Sequence, residues 1–200
     1  MCVVSKDLDL LESVRDSLGL SNRIYRRTGP RLAYQLQWGD RAFYEWLLQI
    51  GLTPRKSLTL GPLCVPDESF VHFFRGCIDG DGSIVTYVDR YNTFKKATYV
   101  YVRLYLSIVC ASPAFLEWLR AMIERLMGFT GSLIVEKKSS GRRHDIWRLK
   151  YAKRESLALV RWMYADREAP SLRRKREIAT AFLIPQPVVR RRGPGRPMVV

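Results

Sequence analysis

The 200-residue chain is short of acid, of cysteine and of histidine. Asp and Glu number 19 against 34 Lys and Arg, a formal net charge of +15. That imbalance excludes an acidic, cation-buffering surface and points to a polyanionic partner, nucleic acid first among them. The four cysteines (Cys2, Cys64, Cys77, Cys110) are scattered and form no C-x-x-C pair. With only His72 and His144 beside them, no zinc site is expected. The same scatter argues against a disulfide-stapled secreted domain and for a reduced, intracellular location. No apolar run approaches the ~20 residues of a membrane span. The start, MCVVSKDLDLL, lacks the charged opening and long apolar stretch of a secretory signal. The expected partner is therefore not a membrane.

What is present suits one or two small domains, since 47% of residues are hydrophobic. Residues 5–18 place Leu8, Leu11, Val14 and Leu18 at helical steps, with Ser5 or Asp7 to cap the helix and Gly19 to end it. Strands are expected at 22–27 and 31–38, then a helix at 40–50 and a linker punctuated by Pro54 and Gly61-Pro62. An apolar helix at 66–78 follows, then strands at 83–90 and 98–109 and a helix from Ser112 to Met127. Strands at 131–137 and 144–151 flank the turn KSSGRRH, and helices at 153–165 and 170–183 complete the order. The tail PQPVVRRRGPGRPMVV has the composition of a disordered basic extension. Its Gly195-Arg196-Pro197 partly matches an AT-hook core, but Pro194 breaks the pattern, so a phosphate-attracting tail is the preferred reading.

The order helix, strand, turn, strand, helix, then Pro and Lys occurs twice. SKDLDLLESVRDSLGL corresponds to SPAFLEWLRAMIERLMGF, YQLQWGDRAFYEWLLQIG to WRLKYAKRESLALVRWMY, and TPRKSL to PSLRRK. MCVV corresponds to SIVC, so the first copy begins inside its second strand. It lacks the apolar helix and first strand of the second copy.

That helix ends in Asp79-Gly80-Asp81-Gly82. An EF-hand loop starting at Asp79 would need Gly where Ile84 stands and Glu where Arg90 stands, so it fails. A plain Asp-Gly turn is the simpler reading. Two features favour chemistry. Gly76 and Gly80 lie on one helix face although each costs up to ~1 kcal/mol there, which invites close approach of another backbone. Carboxylates at a helix C-terminus also oppose the macrodipole by roughly 0.3–1 kcal/mol each, a cost a divalent cation would offset.

The strands that follow have a polar face. Alternation puts Val100, Val102, Leu104, Leu106 and Ile108 inward and Tyr99, Tyr101, Arg103, Tyr105 and Ser107 outward. Trp147, Leu149 and Tyr151 point inward, leaving Ile146, Arg148 and Lys150 outward. In the first copy Leu32, Tyr34, Leu36 and Trp38 point inward, with Arg31, Gln35 and Gln37 outward. Arg, Lys and Gln are the side chains that read base edges in a major groove. The DNA-contact set expected is Gln35, Gln37, Tyr99, Tyr101, Arg103, Tyr105, Arg148 and Lys150, with Arg142 and Arg143 from the turn KSSGRRH.

The nine residues Phe74-Arg75-Gly76-Cys77-Ile78-Asp79-Gly80-Asp81-Gly82 resemble the LAGLIDADG motif of homing endonucleases at its Gly, Ile, Asp, Asp and Gly positions. Ser83-Ile84 is also typical, and the resemblance covers the repeat order over residues 1–183. GLTPRKSLTLG resembles the link between the halves of a single-chain member. The resemblance implies an α+β fold of αββαββα repeats with saddle-shaped antiparallel sheets. Residues 1–60 would be a truncated first repeat, 66–183 a complete second one and 184–200 the basic tail. It implies that Asp81 binds Mg²⁺ at the scissile phosphate, helped by the Gly80 carbonyl, with a second acid from a partner helix. A basic residue near the helix after the fourth strand would assist, Lys153 first and Lys150 second. A polar residue is implied near Cys110–Ser112.

The implied activity is site-specific cleavage of double-stranded DNA by a metal-dependent endonuclease of an intron- or intein-borne mobile element. The alternative is a DNA- or RNA-binding protein on the same scaffold that does not cleave, a transcription regulator or splicing maturase. The sequence departs from the single-chain pattern in having one motif helix rather than two. Truncation, decay of the gene, or pairing of two chains through helices 66–80 would each explain this; the first two are preferred, because pairing leaves the apolar surface of residues 1–50 uncovered.

Overall fold

The computed structural model describes residues 1–91, 94–95, 101–137 and 144–183. The tail from 184 lies outside them, as do Tyr99, Arg142 and Arg143, and of Tyr101 only the backbone is described. The first repeat comprises β1 (Cys2–Ser5), α1 (Leu8–Ser17), β2 (Ile24–Arg26), β3 (Tyr34–Gln37) and α2 (Arg41–Gln49). The second comprises α3 (Asp67–Asp81), β4 (Gly82–Asp89), β5 (Tyr101–Cys110), α4 (Pro113–Met127), β6 (Ser132–Glu136), β7 (Ile146–Tyr151), α5 (Lys153–Met163) and α6 (Arg173–Leu183). Every expected helix and strand is present, and the α+β class with two antiparallel sheets is the one read from the sequence.

The two sheets carry the repeat. The second is ordered β4-β5-β7-β6 and the first β1-β3-β2, the same order without an equivalent of β4. Leu36 of β3 pairs with Val3 and Ile24, as Leu149 of β7 pairs with Ile108 and Leu133. The register corrects the alignment of the copies. Val3 matches Ile108, so Cys2–Ser5 rather than MCVV corresponds to SIVC. Likewise Leu11 matches Leu116, both fully buried, so Asp7 and not Ser5 is the counterpart of Ser112. The apolar stripe, not the shared serine, fixes the helix phase.

The second repeat holds the main core. On α3, Phe70, Phe74 and Ile78 recur at four-residue steps and are fully buried. They pack with Leu104, Leu106 and Ile108 of β5 and with Leu116, Leu119, Leu159 and Val160 of the flanking helices. Phe70 meets Trp118 edge to face at 5.6 Å and Trp162 at 6.4 Å. All of this lies on one side of the sheet, leaving the other side open among the described residues. The first repeat has a smaller core of Leu11, Leu36 and Trp38. No residue of α2 is buried, and Trp46 is 49% exposed. The apolar surface anticipated over residues 1–50 is therefore real. Leu32, expected to point inward, is exposed because it precedes β3.

Among the described residues no helix is long and apolar enough to cross a membrane.

Candidate functional site

Helix α3 runs one turn beyond its expected end and includes both carboxylates; β4 begins at the next residue with no loop between. Two partners make that junction. Lys175, from α6, is 6% exposed and donates from Nζ to the carbonyl oxygens of Ile78 (2.6 Å), Asp79 (2.8 Å) and Gly82 (2.7 Å). An ammonium has three protons, and three carbonyls receive them. Gly82 is the other requirement. A Cβ there would lie 2.6 Å from Ile78 Cα and 2.7 Å from its carbonyl oxygen, so only glycine fits this reversal.

The two aspartates have opposite roles. Asp79 is buried, and its carboxylate accepts from Tyr164 Oη at 2.7 Å and the Leu172 amide at 2.9 Å. Burial raises its pKa above the usual carboxylate range, against the lowering effect of those two hydrogen bonds and of Lys175 and Arg75. Asp79 thus ties α3 to the segment after α5 and cannot reach solvent. Asp81, the expected metal ligand, is exposed, as is Gly80. Lys175 binds the carbonyls on either side of Gly80 and not that of Gly80 itself. Cys77 lies near Asp81; burial first, then that charge, pushes its thiol up to about 12, so it is not a thiolate.

Lys175 bears on two expectations. Positive charge at the helix C-terminus is supplied by an ammonium, so the macrodipole is offset without a divalent ion. Lys175 is also the basic residue that reaches the motif's backbone, a structural role distinct from the one expected of Lys153. That residue opens α5 and lines a groove with Phe129, Arg154, Leu157, Ala158 and Arg161, none of them at the α3–β4 junction. The signal for Lys175 was in the sequence as the repeated Pro-Lys segment, TPRKSL and PSLRRK. Its counterpart Lys56 is exposed. The hydroxyl expected near Cys110–Ser112 is spent on structure: Ser112, 2% exposed, donates to the Leu60 carbonyl.

Among the described residues Gly76 and Gly80 do not meet another backbone. A Cβ on either would touch nothing within 4 Å. This face of α3 is bare.

Beside the junction the open face of the second sheet carries Ser83, Val85 and Tyr87 of β4 opposite Ser107, Tyr105 and Arg103 of β5, with Lys150 opposite Ser107. Tyr87 and Tyr105 stack with centroids 5.8 Å apart, and Lys150 Nζ lies 4.2 Å from the Tyr105 centroid. Of the four arginines expected to contact DNA, the two that are described, Arg103 and Arg148, are engaged by acids on the same face. Arg103 binds Asp89 at 2.7 Å, and Arg148 binds Glu136 and also donates to Ser107 Oγ at 3.2 Å. In the first sheet Gln35 and Gln37 share that outward side and join by an amide hydrogen bond of 2.9 Å.

Among the described residues no cluster of three His, Cys, Asp or Glu side chains forms a closed metal site. One exposed carboxylate with a neighbouring carbonyl does suit Mg²⁺, which keeps several waters and takes one or two carboxylates together with substrate phosphates. Asp81 and Gly80 therefore fit half of such a site.

The architecture is that of the LAGLIDADG homing endonucleases. I-AabMI, a LAGLIDADG meganuclease solved bound to uncleaved DNA, matches with a TM-score of 0.57 at 14% identity, over 91% of this chain and 78% of its own. I-SmaMI bound to cleaved DNA matches at 0.54 and 14% identity, over 91% and 76%. I-LtrWI bound to target DNA matches at 0.52 and 12% identity, over 92% and 78%. The chain spans 65% of the length of the homing endonuclease I-CvuI, at 21% identity and a TM-score of 0.39. No family model and no curated protein matches the sequence.

Proposed function

We propose that the chain is a LAGLIDADG-type DNA-binding protein that carries one half of a metal-dependent endonuclease site. The observation that carries this reading is Asp81, an exposed carboxylate on a junction that Lys175, Gly82 and Asp79 hold rigid, at the edge of an aromatic and cationic sheet face. Double-stranded DNA is the partner, in keeping with the DNA-bound homing endonucleases whose fold this chain shares. The Asp81 carboxylate and Gly80 carbonyl would hold Mg²⁺. When bound, that ion supplies charge stabilisation at a phosphodiester and an acidified water. The chain's own residues do the rest: Asp79 and Lys175 fix the carboxylate's position, while Tyr105, Lys150, Gln35 and Gln37 bind and orient the duplex. The second acid comes from another helix packed on the Gly76 and Gly80 face, a second copy of α3 being one source. Mobility of an intron- or intein-borne element and an intracellular location belong to this reading.

A second reading is favoured by one observation, the single exposed acid at the junction: binding of DNA or RNA without cleavage, as in a transcription regulator or splicing maturase. One experiment separates the two. Wild-type chain and Asp81→Asn are incubated with Mg²⁺ and a library of long duplexes. Cleavage by the wild type alone supports the nuclease. Cleavage that survives Asp81→Asn sinks the role given to that residue, and binding without cutting supports the second reading. Affinity should also fall by orders of magnitude from low to high salt.

A further inference from the structure

Just beyond β4 stand two aromatic rings that join no core among the described residues. Tyr91 is 80% exposed and Phe94 74%, the most exposed large apolar side chains among the described residues. Their rings meet edge to face, with centroids 6.2 Å apart and planes at 89°. Lys95 Nζ lies 5.5 Å from the Phe94 centroid. The start of this segment is braced. Asp89 accepts the Tyr91 amide at 2.9 Å and is itself bound by Arg103 at 2.7 Å. On β4 itself the exposed Tyr87, stacked on Tyr105, continues the aromatic surface onto the open sheet face.

Rings held in water on a braced segment are set for an apolar contact that arrives with a partner. A protein partner would favour a contiguous uncharged patch. Here the stretch DRYNTFKKATYV interleaves aromatics with Arg90, Lys95 and Lys96. Aromatic faces alternating with cations match nucleic acid, whose bases stack on rings while its phosphates meet the charges.

We propose that Tyr91 and Phe94 form a base-stacking wedge that engages an unstacked base in the DNA bound along the open sheet face. The proposal rests on the DNA-binding reading above and adds a preference for strained or unpaired steps at one flank of the site. A ring that inserts beside a base recovers the cost of unstacking more readily where the base is already unpaired.

The test uses two 30-bp duplexes of one mixed sequence, fully paired or with a three-base bubble near one end that contains 2-aminopurine. Anisotropy reads affinity, and 2-aminopurine emission reads stacking on a ring. For the wild type, roughly tenfold tighter binding to the bubbled duplex is expected, with quenched emission. The double variant Tyr91→Ser, Phe94→Ser should bind both duplexes equally and leave the emission bright. Both residues are exposed, so its melting temperature should match the wild type. Lys150→Ala should instead weaken both duplexes alike. Equal wild-type affinity for the two duplexes, or a preference that survives in the double variant, overturns the wedge alone. Failure of the wild type to bind either duplex removes the DNA reading and the wedge with it.

Discussion

Replacing Lys175 by Met should cost the fold about 2–4 kcal/mol. Methionine keeps the apolar stem and deletes the ammonium, which donates to the carbonyls of Ile78, Asp79 and Gly82 at 2.6–2.8 Å. The Ile78 carbonyl keeps a second donor, the Gly82 amide. The losses therefore concentrate on the other two, at about 1–3 kcal/mol for each buried acceptor left unpaired. Asp79 also loses a nearby positive charge. Against this, the variant regains what burial of the ammonium cost; that cost is why the Lys175 pKa is held below the ordinary lysine value. The net is a large share of the roughly 5–15 kcal/mol that holds a domain together. Urea unfolding of wild type, Lys175→Met and Lys153→Met is the assay. The Lys175 variant should shift its midpoint at unchanged slope, and the Lys153 variant should stay within about 0.5 kcal/mol. A Lys175→Met stability within 0.5 kcal/mol of wild type would falsify the view that this ammonium organises the junction.

Tyr164→Phe should destabilise in a pH-dependent way. The hydroxyl favours the charged Asp79 carboxylate, so its loss costs about 1.5–3 kcal/mol where Asp79 is ionised. Because burial raises the Asp79 pKa, the wild type itself loses stability as pH climbs through that value, and the variant's deficit should shrink toward pH 4; a deficit that does not vary between pH 4 and pH 8 would contradict this. Gly82→Ala pushes a methyl to 2.6 Å from Ile78 Cα and should cost about 1–3 kcal/mol or more by thermal melting; a neutral result would mean that the helix-to-strand reversal relaxes freely. Glu136→Gln releases Arg148. DNA affinity at low salt should rise, and the log–log salt slope should steepen by about one; an unchanged slope would mean that Arg148 does not meet phosphate.

The fold could be read far into the sequence because its signals are periodic. Leu104, Leu106 and Ile108 alternate as a half-buried strand must, and Phe70, Phe74 and Ile78 recur as a buried helix face must. Even the repeat of sheet order was visible as two runs of helix, strand and turn. Misreadings arose where a local pattern has two solutions. Asp-Gly-Asp-Gly looks like the end of a helix, and α3 continues through it because a lysine 94 residues further on caps it at Asp81. Nothing near residue 81 announces Lys175; only the recurrence of Pro and Lys after each repeat hints at it. Asp79 and Asp81 are two residues apart and look alike in sequence, yet one is enclosed by Tyr164 and Leu172 and the other meets solvent. Which arginine is engaged by which acid depends on cross-strand pairing that alternation does not reveal: Arg103 is bound by Asp89, fourteen residues away.

The absence of a loop between α3 and β4 has a mechanical consequence. If β4 lies along a duplex, as the proposed function has it, slack between the strand and the acid would let the two move separately. Here the carboxylate of Asp81 is one residue from the first paired residue of β4, with Lys175 clamping both sides. A tug on the strand by a poorly fitting duplex moves the acid by the same distance, and an ångström is enough to cost a reaction about a hundredfold. In the proposed nuclease, fit along the groove and competence at the phosphate would thus be read by one rigid lever.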